Sequence, residues 1–210
     1  MGTSTPKQFL LLDGIPVLQR AIETFIGAIP GLSVVTVLPK EHVESWKELC
    51  FRYAMDYPQT IVRGGITRFH SVRNALRRIP SGSIVLIHDG VRPLVSADLV
   101  NTLLSEVRPG MGAVPSLPVT DTLKAADGIS PDPDRLAILS VQTPQVFYAD
   151  DIKQAYGLPY DNSFSDDSSV ARKYGIPVKF IPGEKTNIKL TTPEDLDLAG
   201  AILHLRSCRS

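Results

Sequence analysis

Apolar residues recur at three- to four-residue steps through Val17, Leu18, Ala21, Ile22, Phe25, Ile26 and Ile29, and Pro30-Gly31 then stops the pattern. This predicts a helix with one buried face. A strand follows over 33–38, and Pro39 opens a second helical stretch to about Ala54. Residues 60–63 read as extended before Gly64-Gly65, and 67–79 as helical through Phe69, Val72, Leu76 and Ile79. The short aliphatic run 84–88 is of the kind buried on both faces of a parallel sheet. Ser96 caps a helix that turns Leu99, Val100, Leu103, Leu104 and Val107 inward. Strand and helix alternate, which is the signature of an α/β domain.

After 112–117 the rhythm breaks. Residues 118–139 hold Pro118, Gly128, Pro131, Pro133 and several aspartates without a helical stripe, so they are expected to leave the domain as a hairpin-like arm over about 118–140. A loop of this length in a compact domain usually has a use. Regularity returns with 152–156, a helix capped near Ser165 and running to Tyr174, a strand at 178–181 and a last helix from Pro193. Thr192-Pro193-Glu194-Asp195 gives that helix an N-cap hydroxyl, a first-turn proline and acid at its positive end. One domain over 1–210 with one protruding arm is the expected organisation, and Trp46 and Phe51 are expected to cover its core.

Composition narrows the function. The 210 residues are 43% hydrophobic and 21% charged, ordinary globular usage. No apolar run approaches the ~18 residues of a membrane helix. Lys plus Arg is 22 and Asp plus Glu is 22, so no net field draws the molecule to a nucleic acid polymer or an anionic membrane. Any bound anion must be held by a few focused cations. Cys50 and Cys208 form neither a disulfide framework nor a zinc pattern, and His42, His70, His88 and His204 lack metal-site spacing. With no leader-like start at Met1, a reducing, cytoplasmic setting is expected.

Ligands of an open parallel sheet bind beyond the carboxyl ends of its strands. Three places there can carry chemistry. His88-Asp89-Gly90-Val91-Arg92-Pro93 sets an acid and a base three apart in a turn, where Asp89 can take a magnesium ion and Arg92 can fork onto an anion; a plain turn aspartate and a surface arginine fit the spacing equally. Gly64-Gly65, with Arg68, Ser71 and Val72 after it, offers backbone N–H groups at a helix start to phosphate or a base edge, or is a simple turn. Thr186-Asn187-Ile188-Lys189-Leu190-Thr191 puts a lysine in an extended segment, where a solvated lysine is the ordinary outcome. Pro6-Lys7-Gln8 and Gln142-Thr143-Pro144-Gln145 add a lysine and a threonine hydroxyl. Asp166-Asp167 is expected to cap the helix behind it rather than to bind metal.

Together, Pro6-Lys7-Gln8, Gly64-Gly65-x-x-Arg68-x-x-Ser71-Val72, His88-Asp89-x-x-Arg92-Pro93, Asp121-Thr122-Leu123-Lys124, Gln142-Thr143-Pro144-Gln145 and Asn187-Ile188-Lys189 resemble, in order and over nearly the whole chain, the cytidylyltransferases of isoprenoid precursor synthesis. These join CTP to 2-C-methyl-D-erythritol 4-phosphate. Ser165-Asp166-Asp167-Ser168-Ser169-Val170 resembles that branch rather than the ribitol-phosphate cytidylyltransferases. The resemblance implies a three-layer, mostly parallel α/β sheet of nucleotidyltransferase type with a β-arm.

The resemblance also implies site roles. Lys7 and Lys189 flank the α-phosphate, Asp89 helps hold Mg²⁺, and Gly2, Gly64, Gly65, Ile66 and Ser71 contact the nucleotide. Arg92, Thr143 and Lys189 lie toward the sugar phosphate. Thr122 and Arg135, the latter eight residues before Thr143, close the neighbour's pocket across a two-fold axis, so a homodimer with exchanged arms is expected. The family begins with a strand and a loop of the form A-A-G-x-G-x-R-M-G, of which Met1-Gly2 match the end, so a preceding piece is expected in the intact protein; Gly90-Val91 stands where Ala-Ala is commoner. The alternatives are the same transfer onto ribitol phosphate and a non-catalytic dimeric nucleotide-binding module.

Overall fold

The computed structural model describes residues 5–208. The chain opens with a 3₁₀ turn (Lys7–Phe9) and a short antiparallel hairpin, β1 (Leu11–Leu12) and β2 (Ile15–Pro16), whose turn places Asp13 and Gly14 at positive φ. Helix α1 (Val17–Ala28), strand β3 (Val34–Leu38), helix α2 (Val43–Arg52), strand β4 (Gln59–Arg63), helix α3 (Arg68–Leu76) and strand β5 (Ile84–Ile87) follow. Then come α4 (Ala97–Glu106), β6 (Gly112–Pro118), β7 (Leu139–Val141), β8 (Gln145–Tyr148), α5 (Ala149–Ala155), α6 (Asp167–Tyr174), β9 (Val178–Pro182) and α7 (Pro193–Ser207). No helix among the described residues is long and apolar enough to cross a membrane.

Adjacent residues on the central strands go to opposite sides, as the pleat requires. Ala113 of β6 and Val146 of β8 pack with Phe25 of α1 and Val100 and Leu103 of α4. Val114 and Phe147, their chain neighbours, pack with Phe69, Ile152, Tyr156 and Val170 on the other side. Helices on both faces of one sheet make the three layers. Burial of each large side chain contributes about 1.5–3 kcal/mol. Trp46 is fully buried beside Phe9, Leu18 and Ile22, but Phe51, near the end of α2, is 92% exposed and does not cover the core as expected.

The sheet is mixed. β3 pairs with β4 in parallel and β6 pairs with β9 in parallel, whereas β5–β8, β6–β8 and β6–β7 are antiparallel. The aliphatic strand β5, expected among parallel neighbours, thus runs against β8, which the sequence pattern did not disclose. Its outer residue Ile84 is exposed while Val85 is buried. Among the described residues β3 is paired by β4 and β5 by β8, each along one edge. Their other edges border a cleft of about 940 Å³ lined also by Leu18, Ile22 and Phe25 of α1 and by Val72 and Leu76 of α3.

The arm begins where β6 ends. Ser116–Pro118 pair antiparallel with Leu139–Val141, and beyond this base the segment carries a 3₁₀ turn (Arg135–Ala137) and an Asp127-centred turn that accepts the Ile129 and Ser130 amides. The antiparallel ladder is confined to the root of this segment.

Candidate active site

The site forms where strand ends, helix starts and one extended segment meet. Strand β5 runs out at Ile87, and the following turn closes with the Arg92 amide donating to the Asp89 carbonyl at 3.0 Å. Opposite it, Leu190 N–H donates to the Val91 carbonyl at 2.9 Å, which docks the 187–191 segment against the turn. Asn187 anchors that segment from within: fully buried, it donates to the Thr143 carbonyl at 2.9 Å, while Arg92 Nη1 donates to the Asn187 carbonyl at 2.7 Å.

This places three cations around one carboxylate. Lys189 Nζ lies 3.1 Å and Arg92 Nε 3.5 Å from Asp89 Oδ2, and Arg68 Nε lies 3.7 Å from Oδ1. Burial acts to raise the Asp89 pKa, but Arg68, Lys189 and Arg92 outweigh it and hold the group below the ordinary carboxylate value. Lys7 joins the same segment from the other end of the chain, donating through Nζ to the Thr191 carbonyl. Thr191 is two residues past Lys189, so the two lysines named from sequence are brought to one short stretch of backbone.

The glycine turn is equally well determined. A Cβ on Gly65 would stand 2.4 Å from His70 Cβ, so the turn admits nothing larger than glycine. Ser71 Oγ donates to the Thr67 carbonyl and accepts from Gly65 N–H, each at 3.0 Å, and Gly64 N–H donates to the Leu38 carbonyl at 2.8 Å. The turn is therefore fixed to β3 and α3 while Ile66 beside it is 91% exposed. Gly2 lies outside the described residues.

Arg68 and Asp167 form a relationship that motif reading left unassigned. Arg68 donates twice to Asp167, Nη1 to Oδ1 at 2.9 Å and Nη2 to Oδ2 at 2.7 Å, and the Tyr156 hydroxyl donates to Oδ1 at 2.6 Å. Burial opposes the Arg68 charge, but Asp167 more than offsets it and the guanidinium pKa rises; desolvation and the same carboxylate raise that of Tyr156. Asp166 is the helix cap, accepting the Ser169 amide at 2.8 Å, whereas Asp167, expected to share that task, is the buried partner of Arg68. The motif glutamines also have structural work. Gln145 donates to Asp166 and accepts the Ser168 amide, each at 2.7 Å, and Gln142 spans to the Glu184 backbone.

Thr143 lies under the Asp89 turn. Its hydroxyl is 3.1 Å from His88 Nδ1 and accepts the Asp89 amide at 3.1 Å, so the group expected near the sugar phosphate is already engaged with the turn. Desolvation pushes the His88 imidazole down to about 4, against the raising effect of its bond to the Arg92 carbonyl and of the Asp89 charge. Thr122 and Arg135 are exposed on the arm, Arg135 donating to the Thr120 carbonyl at 3.1 Å. Among the described residues no three His, Cys, Asp or Glu side chains gather as a metal site.

A carboxylate ringed by cations, beside a glycine turn at a helix start, suits the joining of two phosphate-bearing molecules. Comparison with known proteins agrees. Residues 1–205 match the family model described as 2-C-methyl-D-erythritol 4-phosphate cytidylyltransferase. Proteins of that name are 45% identical in Porphyromonas gingivalis (97% of this chain, 91% of the relative) and 40% identical in Bacteroides fragilis (97% and 93%). The crystal structure of the 2-C-methyl-D-erythritol 4-phosphate cytidylyltransferase from Thermus thermophilus superposes with a TM-score of 0.74 at 33% identity (94% and 93% covered). That of 4-diphosphocytidyl-2C-methyl-D-erythritol synthase from Anaerococcus prevotii does so at 0.79 and 26% identity (97% and 92%). The geometry and the similarity along almost the entire length converge, and the chain belongs to the 2-C-methyl-D-erythritol 4-phosphate cytidylyltransferase family.

Proposed function

We propose that the chain transfers the cytidylyl group of CTP to 2-C-methyl-D-erythritol 4-phosphate at the Asp89 turn, where the cleft lined by Gly64, Gly65, Arg68 and Asp89 opens. The observation that carries this is the meeting of Lys189, Arg92 and Arg68 on Asp89, with Lys7 tied to the Thr191 carbonyl. A phosphate oxygen of the acceptor attacks the α-phosphorus, the bond from that phosphorus to the bridging oxygen breaks, and pyrophosphate leaves with the electron pair. Two anions must approach and charge accumulates on one phosphorus, so catalysis is positioning and electrostatic stabilisation.

Lys7 and Lys189 act on the α-phosphate. Lys189 is suited to this because its side chain is 46% exposed while the Asp89 carboxylate it faces is 15% exposed; the lysine can turn to a ligand while the carboxylate stays. Asp89 would hold Mg²⁺, which supplies charge neutralisation along the triphosphate when bound. One protein carboxylate, with the remaining positions left to phosphate and water, fits that ion. Gly64, Gly65, Ile66 and Ser71 receive the cytosine and ribose. Arg92 acts toward the sugar phosphate, and Thr143, whose hydroxyl is taken up by His88 and the Asp89 amide, acts by fixing the turn.

Thr122 and Arg135 act in the neighbouring subunit of a homodimer. In support, the arm carries Ile129 and Leu136 at 91% and 89% exposure, apolar side chains that a partner surface would cover. The setting is the cytoplasm.

The test is incubation of the protein with CTP, Mg²⁺ and each polyol phosphate, reading pyrophosphate. Release with methylerythritol phosphate is expected. Release with ribitol phosphate alone reassigns the substrate, and release with neither leaves a nucleotide-binding module.

A further inference from the structure

The turn that carries Asp89 is held by a series of hydrogen bonds whose direction is fixed at one end. His88 Nε2 lies 2.9 Å from the Arg92 carbonyl oxygen, and that oxygen can only accept. Nε2 therefore carries the ring hydrogen. In the neutral ring Nδ1 is then bare and accepts from the Thr143 hydroxyl at 3.1 Å. With its proton spent there, Thr143 Oγ1 meets the Asp89 amide, at 3.1 Å, as an acceptor. Moving the hydrogen to Nδ1 would set two acceptors, Nε2 and the carbonyl, against each other. Phe25 of α1 fixes the plane of the ring, its centroid 4.9 Å away and edge-on at 69°.

We propose that His88 is a positioning residue: acting through the Thr143 hydroxyl, it fixes the backbone of Asp89 and so the place of the carboxylate that faces Arg68, Arg92 and Lys189. The physical need is plain at a strand end. The Asp89 amide and the Arg92 carbonyl lie beyond the ladder of β5, where polar backbone groups must find partners outside the sheet. An aspartate side chain is short, so a displaced turn displaces its carboxylate almost equally, and a misplacement of about 1 Å at such a site can cost on the order of a hundredfold in rate. The kinetic consequence rests on the proposed transfer reaction; the hydrogen-bond direction does not.

Two measurements on the intact protein test this. Nitrogen-resolved NMR of His88 should find the hydrogen on Nε2 and a bare Nδ1; a hydrogen on Nδ1 overturns the proposal. Thr143→Val removes the hydroxyl, and His88→Gln keeps an N–H donor at the Nε2 position toward Arg92 while taking away the ring nitrogen Nδ1 that accepts from Thr143. Each should lower kcat for CTP-dependent pyrophosphate release on the order of tenfold, with the KM for CTP little moved, and Thr143→Ser should recover most of the loss. Because both changes break one relay, the double variant should fall about as far as either single variant. Losses that multiply to about a hundredfold overturn the proposal. If the unaltered protein releases no pyrophosphate, the function is wrong, and the relay is judged by the ring hydrogen together with amide exchange at Asp89. Thr143→Val should speed that exchange on the order of tenfold, and an unchanged rate overturns the relay.

Discussion

Lys189 Nζ stands 3.1 Å from Asp89 Oδ2, yet the two side chains are unequally held. The carboxylate is enclosed by Arg92 and Arg68 as well, whereas nearly half of the lysine surface meets solvent. A lysine this exposed contributes little to folding through its ion pair. Lys189→Ala should therefore lower turnover on the order of a hundredfold, as loss of one electrostatic donor does, while changing the unfolding free energy by less than about 1 kcal/mol. Steady-state kinetics beside urea unfolding checks both. Unaltered turnover would remove Lys189 from the mechanism.

Asp167 should behave in the opposite way. Its side chain is fully buried and receives two donors from Arg68 and one from Tyr156. Asp167→Ala removes the two close acceptors of the guanidinium and leaves a buried hydroxyl without an acceptor, so a loss of about 3 kcal/mol is expected, at the low end for buried pairs because Arg68 keeps Asp89 at 3.7 Å and some contact with water. Tyr156→Phe removes a single hydrogen bond and should cost about 1 kcal/mol. Urea midpoints rank the two variants, and equal midpoints would show that the pair does not hold α6 to α3.

Sequence and structure agree where the pattern is local. The stripe from Val17 to Ile29 became α1, Ser96 caps α4 by accepting the Leu99 amide, and Thr192 precedes α7. Strand direction is not local: the aliphatic Ile84–Ile87 reads alike beside parallel or antiparallel neighbours. β8 escaped notice because it is four residues long and begins with Gln145, a polar side chain buried to serve the α6 cap. At the proposed site, the motifs single out Lys7, Lys189 and Asp89, and the structure sets Lys189 on Asp89 and Lys7 on the Thr191 carbonyl. The partner of Arg68 was not legible, since Asp167 lies 99 residues away and resembles any other acid near a helix start. His88, the first residue past an apolar strand, gave no sign of the relay beneath the turn.

Acid should loosen the lysine-bearing segment through Asp195. Its carboxylate accepts from the amides of Thr192 and Thr191 and from the Thr191 hydroxyl, which together pull its pKa down to about 2 from 3.8. A group whose folded pKa is depressed contributes stability that is fully present above its unfolded value and is lost as pH falls through the folded one. The window is thus about pH 4 down to about 2. Asp195→Asn should lower stability at neutral pH and flatten the acid limb across that window, followed by circular dichroism. Parallel acid profiles for the two proteins would show that these three bonds do not stabilise the fold. Because Lys7 donates to the Thr191 carbonyl, the same variant should also weaken turnover.

The arm offers a test that distinguishes exchange between subunits from a loop acting on its own site. Thr122 and Arg135 lie on a segment that leaves the domain at Pro118 and returns at Leu139, with Ile129 and Leu136 almost bare. Arg135→Ala should raise the KM for the sugar phosphate while sparing CTP. Mixed with Lys189→Ala under conditions that exchange subunits, it should regain activity, because a mixed dimer with crossed arms has one site with both lesions and one with none. If the chain is a dimer mixed at random, half the dimers are mixed and half their sites intact, so about a quarter of the unmutated turnover is expected at sugar-phosphate concentrations well below the raised KM, where Arg135→Ala alone is nearly silent. If each arm served its own subunit, every site in every dimer would keep one lesion, and mixing would restore nothing.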